Sequence, residues 1–158
     1  MAMTLEQLRS QLSTIEPEES TYAGIGAAEI PLLEQLLQDE EAWMASRAVF
    51  ALSRQPDPQA ISILSRVEAD PRPELRVALA ASTANLPPRA ANNILLTLLD
   101  DADVGVRKFA VEAVSGEHNR AVHAKVRNIG TQDPEPVLRD VAKSKLSELR
   151  RIGPSPSR

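Results

Sequence analysis

The stretch "DDADVGVRKFAVEAV", residues 100–114, decides the fold, because its shape returns along the chain. It recurs as "DPRPELRVALAA" from Asp70, as "DPEPVLRDVAKSKL" from Asp133 and more loosely as "DEEAWMASRAVFAL" from Asp39. The four aspartates Asp39, Asp70, Asp101 and Asp133 are 31, 31 and 32 residues apart. Five residues after each stands Met44, Leu75, Val106 or Leu138, and the next position holds Ala45, Arg76, Arg107 or Arg139. Nine residues on come Ala48, Leu79, Ala110 and Ala142, and thirteen on come Leu52, Thr83, Val114 and Leu146. A fixed period that keeps apolar, basic and small positions in step is the mark of stacked supersecondary repeats.

Each repeat reads as two helices. Val106, Ala110, Ala113 and Val114 follow the i, i+4, i+7, i+8 spacing of one buried stripe, which gives the second helix. The segment before it, "AANNILLTLLDD", sets Ile94, Leu95, Leu98 and Leu99 on one face and gives the first. Equivalent first helices carry Leu32, Leu33, Leu36 and Leu37; then Ile61, Leu64 and Val67; then Val122, Val126 and Ile129. Prolines mark the inferred helix starts at Asp57-Pro58, Asp70-Pro71, Pro87-Pro88 and Asp133-Pro134, where a fixed φ and a preceding Asp suit a first turn. The partition is a capping helix and linker over 1–20, with the amphipathic helix near 4–15 carrying Leu5, Leu8, Leu12 and Ile15. The repeat array follows over 21–150, with repeats near 27–54, 57–85, 88–115 and 118–149, and a disordered tail over 151–158.

"DDADVGVRKFAVEAV" and its echoes resemble HEAT repeats, in particular the short kind found in bilin-lyase-type proteins. That pattern has a turn Asp, then Val-Arg, then spaced Ala in the second helix. Asp101, Val106, Arg107, Ala110 and Ala113 fit it, as do Asp133, Leu138, Arg139 and Ala142. The copy from Asp70 keeps Leu75 and Arg76 but has Leu79, Ser82 and Thr83 at the small and apolar positions. The first copy has Ala45 where Arg belongs, with Arg47 two places on. The resemblance implies an all-α, right-handed α-solenoid of about four stacked, HEAT- or armadillo-like helix pairs behind an N-terminal capping helix.

Composition agrees. An apolar share of 42% with only 3% aromatic leaves Ala, Leu and Val to fill the core, which suits close-packed helices better than a β-sandwich. With no cysteine there is no disulfide, thiolate metal site or Cys nucleophile. "MAMTLEQLRSQLS" lacks an apolar run of leader length and no stretch reaches about 20 apolar residues, so a cytoplasmic protein without a membrane span is expected. The net charge of −4 is uneven. Residues 1–50 hold nine acids and two bases (−7), 51–103 seven and five (−2), 104–158 six and eleven (+5). Solvated faces account for this drift; a C-terminal end that steers an acidic partner is the sharper reading.

Chemistry is sparse. The recurring Asp70, Asp101, Asp133, Arg76, Arg107 and Arg139 read as scaffold, Asp capping the second helix and Arg reaching between repeats. His118 and His123, at i, i+5, do not share a helical face and read as exposed helix-end residues. Deoxyhypusine hydroxylases are similar in their repeats, but their paired His-Glu motifs are absent, so that activity does not carry over. "YAGIGAAEI" has two glycines and no preceding strand, and reads as a flexible turn. No serine has an activating base in view, and neither catalysis nor a cofactor or metal is expected. Overall acidity and scarce aromatics disfavour nucleic acid, to which only Lys143, Lys145, Arg150 and Arg151 could contribute.

Second helices of a solenoid line one long surface suited to an extended or helical segment of another protein. Positions that the buried stripe does not consume are Trp43, Arg47, Val77, Lys108, Val111 and Glu112. Trp43 is either an exposed anchor or a residue packed on the N-terminal helix. The expected function is a non-enzymatic adaptor or assembly scaffold, acting as a monomer on a protein partner. The alternative that the resemblance implies is a subunit of a bilin lyase or similar chromophore-attachment factor, a class that works as paired subunits.

Overall fold

The computed structural model describes residues 2–152, and every regular element among them is helical. In chain order these are α1 (Leu5–Leu12), α2 (Ile30–Leu36), α3 (Ala42–Ser53), α4 (Pro58–Val67), α5 (Pro73–Ser82), α6 (Pro88–Leu98), α7 (Val104–Ala113), α8 (Arg120–Gln132) and α9 (Pro136–Ile152). Single 3₁₀ turns occupy Glu19–Tyr22, Ala27–Glu29 and Thr83–Asn85. Arg151 and Ile152, read from sequence as tail, belong to α9, and residues 153–158 lie outside the described residues. The chain forms two compact units, Met1–Leu86 and Pro87–Arg158.

In the first unit α2 packs on α3 and α4 on α5, while α2 meets α4 and α3 meets α5. First helices thus neighbour first helices, and second helices neighbour second. The second unit repeats the scheme, with α6 on α7, α8 on α9, α6 beside α8 and α7 beside α9. Leu33, Met44, Ala48, Leu52, Leu64, Leu75 and Leu79 close the first core, and Leu95, Leu98, Val106, Ala110, Val126, Leu138 and Ala142 the second. The alanines on the second helices let backbones approach, so branched side chains from either side interlock at interior density. A second helix touches two partners and therefore needs two buried rows. On α7 the additional row runs through Val111, while Ala113 is only half-buried. On α4 the buried residues are Ala60, Ile63, Leu64 and Val67, with Ile61 at the edge.

Helix α1 lies against α2 and α3 and buries Leu8 and Leu12 completely. Thr4 starts it with a capping box: the Gln7 N–H donates to Thr4 Oγ1 at 3.1 Å and the Thr4 N–H to Gln7 Oε1 at 2.8 Å. The following segment, read as linker and flexible turn, is fastened throughout. Gln11 Nε2 donates to the carbonyls of Thr21 (2.8 Å) and Ala23 (2.7 Å), and Tyr22 packs against Phe50 with the rings tilted at 58° and their centroids 4.8 Å apart. Gly24 takes φ +76°, which a side chain would oppose, and buried Glu29 accepts the Gly26 N–H at 2.8 Å.

The periodic aspartates do a different job from the cap expected of them. Each stands three residues before its helix, at Ala42, Pro73, Val104 or Pro136. Its Oδ1 accepts the backbone N–H two residues on, from Glu41 (2.9 Å), Arg72 (2.9 Å), Asp103 (2.9 Å) and Glu135 (3.0 Å). This is an Asx turn, which sets the entry into the helix. On α7 the capping acceptor is Asp103, whose Oδ1 takes the Val106 N–H at 3.0 Å. Likewise Pro73 and Pro136 open their helices, whereas Pro71 and Pro134 sit inside the turn.

Arginine closes each turn from above. Arg76, Arg107 and Arg139 donate to the carbonyl of their own aspartate, at 2.7, 2.9 and 2.6 Å. The first repeat has Ala45 at that position, and Arg72 of the next turn supplies the missing donor, reaching back to the Asp39 carbonyl at 2.8 Å. The Asp39 carboxylate is met by Arg9 of α1, which stands where a preceding repeat's arginine would.

Candidate interaction surface

The residues singled out from sequence divide by what the fold asks of them. Trp43, on the first turn of α3, is 44% exposed; its indole N–H bonds Glu41 and the Arg47 guanidinium lies over its ring at 5.1 Å. Its edge is thus held while a face stays open. Arg47 spends its donors on the end of α1, bonding the carbonyls of Leu12 and Thr14 and, at 3.4 Å, of Ile15. The four last carbonyls of a helix have no partner within it, so Arg47 serves as a C-terminal cap for α1 as well as a neighbour of Trp43. Val77 is half-buried on α5.

On α7, Val111 is fully buried and belongs to the core. Lys108 and Glu112 are exposed, one helical turn apart at 3.9 Å, a separation that contributes little in solvent. Phe109 between them, passed over in the sequence, is 38% exposed, with Lys108 Nζ 6.0 Å from its ring. Nothing in the period distinguishes Phe109, since its neighbour Ala110 carries the buried register.

The exposed apolar side chains are unevenly placed. Seven large ones are exposed among the described residues: Leu5, Ile15, Trp43, Val104, Phe109, Val137 and Ile152. Five of these lie on the second helices α3, α7 and α9, none on α2, α4, α6 or α8, and the other two belong to α1 or its end. Scattered single residues of this kind are ordinary. A bias to one helix type is not, because the first helices α4, α6 and α8, of 10, 11 and 13 residues, are at least as long as α7, of 10, and carry none.

The histidines are half-buried rather than exposed, and both converge on Ser115 in the α7–α8 turn. His118 Nδ1 accepts the Ser115 N–H at 2.9 Å, and His123 Nε2–H donates to the Ser115 carbonyl at 2.9 Å. Burial, then the charge of His123, holds the His118 pKa below its ordinary value, with Glu117 opposing. An accepting Nδ1 requires the neutral ring, so these histidines order a turn. At Asp133 burial pushes the carboxyl up, but the Arg107 hydrogen bonds, the Glu135 N–H and the charges of Arg107 and Arg139 outweigh it and leave the pKa lowered. The same balance, with Arg72 as chief donor, lowers Asp70. Among the described residues no group of acids and histidines gathers as metal ligands, and no helix is long and apolar enough to cross a membrane.

No protein-family model matches the chain, and no curated protein matches it in sequence. Solved structures do. The chain is similar to a structure of the complex of CpcE and CpcF of phycocyanin lyase from Nostoc sp. PCC7120, at 18% identity and a TM-score of 0.68, over 90% of this chain and 97% of that one. It is also similar to a designed armadillo repeat protein in complex with the peptide (KR)4, at 18% identity and a TM-score of 0.51, over 92% of this chain and 81% of that one. Identities this low speak for fold alone, and the fold they share with this chain is the all-α, HEAT- and armadillo-like solenoid.

Proposed function

We propose that the protein is a non-catalytic binding module, an adaptor or assembly scaffold of the cytoplasm that holds a partner protein on its second helices. One observation carries this reading: the second helices leave Trp43, Val104, Phe109, Val137 and Ile152 exposed, while the first helices expose no large apolar side chain. Exposed apolar groups among charged ones are where protein interfaces find their anchors, with Trp foremost. Trp43 is also preset, since Glu41 and Arg47 fix its ring and less side-chain freedom is lost on binding.

The test is affinity capture from the source cell with three versions of the full chain: native, Trp43→Ala with Phe109→Ala, and Arg66→Ala on the first-helix side. The reading expects partners that the double variant loses and the Arg66 variant keeps. Identical recovery by all three overturns it. Light scattering of the native protein examines the accompanying expectation of a monomer.

A second reading, a subunit of a chromophore-attaching lyase, is supported by the likeness to the CpcE–CpcF complex across nearly the whole of both chains. Mixing with a bilin would then change the pigment's absorbance. An unaltered spectrum, with and without a candidate second subunit, speaks against it.

A further inference from the structure

Helix α9 is 17 residues long, yet only Leu138 and Ala142 on it are buried. A second row on the same helix, Val137, Val141, Ser144 and Glu148, opens with Glu112 of α7 onto a groove of about 510 Å³. Its apolar floor is Val137, 70% exposed, and half-buried Val141. Three carboxylates surround that floor: Asp140, Glu112 and Glu148. The one cation there, Lys145, is turned inward; its Nζ donates to the Glu112 carbonyl at 2.9 Å and lies 3.4 Å from Glu148, leaving its side chain 11% exposed. The Asp140 carboxylate has no hydrogen-bond or ion-pair partner among the described residues.

The groove is therefore acidic within the most basic third of the sequence. Arg107 and Arg139 are engaged at Asp133 and Lys125 at Asp100, while Glu112 has Lys108 at 3.9 Å and Glu148 has Lys145, which leaves Asp140 as the rim carboxylate open to a partner's cation. The geometry points to the α7–α9 groove as a docking site for a basic segment of a partner protein, with one branched or aromatic side chain on Val137 and Val141 and flanking Lys or Arg at Asp140 and the rim acids. From 137 to 148 the row runs about 17 Å along the helix axis, which an extended segment of about five residues spans. This deepens the binding-module reading and rests on it.

The experiment is fluorescence anisotropy of the full chain with labelled Lys-Arg-Leu-Arg-Lys, its charge-reversed counterpart Glu-Asp-Leu-Asp-Glu and, to read the central position, Lys-Arg-Gly-Arg-Lys. Variants are Asp140→Asn, Val137→Asp and, as a control on the first unit, Arg66→Ala, each checked for an unchanged melting curve. The basic peptide should bind and the acidic one should not. Asp140→Asn should weaken binding about fivefold, as loss of one partly exposed charge pair does. Val137→Asp should remove the apolar contact and abolish discrimination for the central Leu over Gly, and Arg66→Ala should change nothing. No binding of the basic peptide, equal binding of the basic and acidic ones, or indifference to Asp140→Asn overturns the site. Should cellular partners then still be lost on replacing Trp43 and Phe109, the binding-module reading survives without this groove; should they not, both fall.

Discussion

The Arg107 guanidinium closes on the Asp133 carboxylate with two parallel bonds, Nε to Oδ2 at 2.9 Å and Nη2 to Oδ1 at 3.1 Å, while its Nη1 bonds the Asp101 carbonyl at 2.9 Å. One side chain thus joins two consecutive turns of the second unit. Both partners are nearly enclosed, with side chains 12% and 4% exposed. Arg107→Ala is expected to cost about 3 kcal/mol, because it strands a buried carboxylate. Arg107→Lys should recover only part of this, since an ammonium cannot reproduce the planar fork. Urea unfolding of the three proteins gives the values; a loss under 1 kcal/mol for the alanine variant would contradict the role.

Stability should fall in two stages as pH is lowered. His118 has a folded pKa below its ordinary value, so the unfolded chain takes up its proton first, and stability declines from about pH 6.5 downward. Asp70 and Asp133 are also depressed. Their contribution is full above the ordinary carboxylate range and is lost as pH falls below about 4 toward their folded values. Melting temperatures between pH 3 and 8 show the two slopes, and His118→Gln should flatten the upper one alone.

Helix α1 is held by two buried leucines and by polar clips at its C-terminal end, Arg9 of its last turn on Asp39 and Arg47 on the Leu12 and Thr14 carbonyls. Leu8→Ala is expected to cost about 3 kcal/mol. Deleting residues 1–20 uncovers the α2–α3 surface beneath and should both lower the melting temperature and produce oligomers on size exclusion. A truncated chain that stays monomeric with an unchanged melting curve would refute the clamp.

Gly130 lies within α8, and a Cβ there would meet Lys143 Cγ at 3.6 Å and Ala142 Cβ at 3.7 Å, ordinary contact distances. Gly130→Ala should therefore stabilise the protein by about 0.5–1 kcal/mol through helix propensity. Differential scanning calorimetry reads the sign directly.

The pairing of helices was legible because the period ties sequence to packing: Asp39, Asp70, Asp101 and Asp133 all stand at equivalent turns. Their role was harder to read. An Asp before a helix resembles a cap, and only the backbone shows that it serves the residue two places on. Val111 was misplaced because a one-row picture of α7 omits the contact with α9. Arg9 and Arg72 escaped notice since both act across about 30 residues, at positions the period does not flag. Phe109 and the groove along α9 depend on which residues remain uncovered after packing. Spacing alone does not report that.

The turn at Asp39 has no arginine of its own and depends on Arg72. A segment copied from Asp101 would carry its own staple wherever it was inserted. A duplicate of the segment from Asp39 would arrive needing one from its neighbour. Lengthening of such a chain by gene duplication is therefore easier through the copies that carry their own arginine than through the copy at Asp39, which must borrow one.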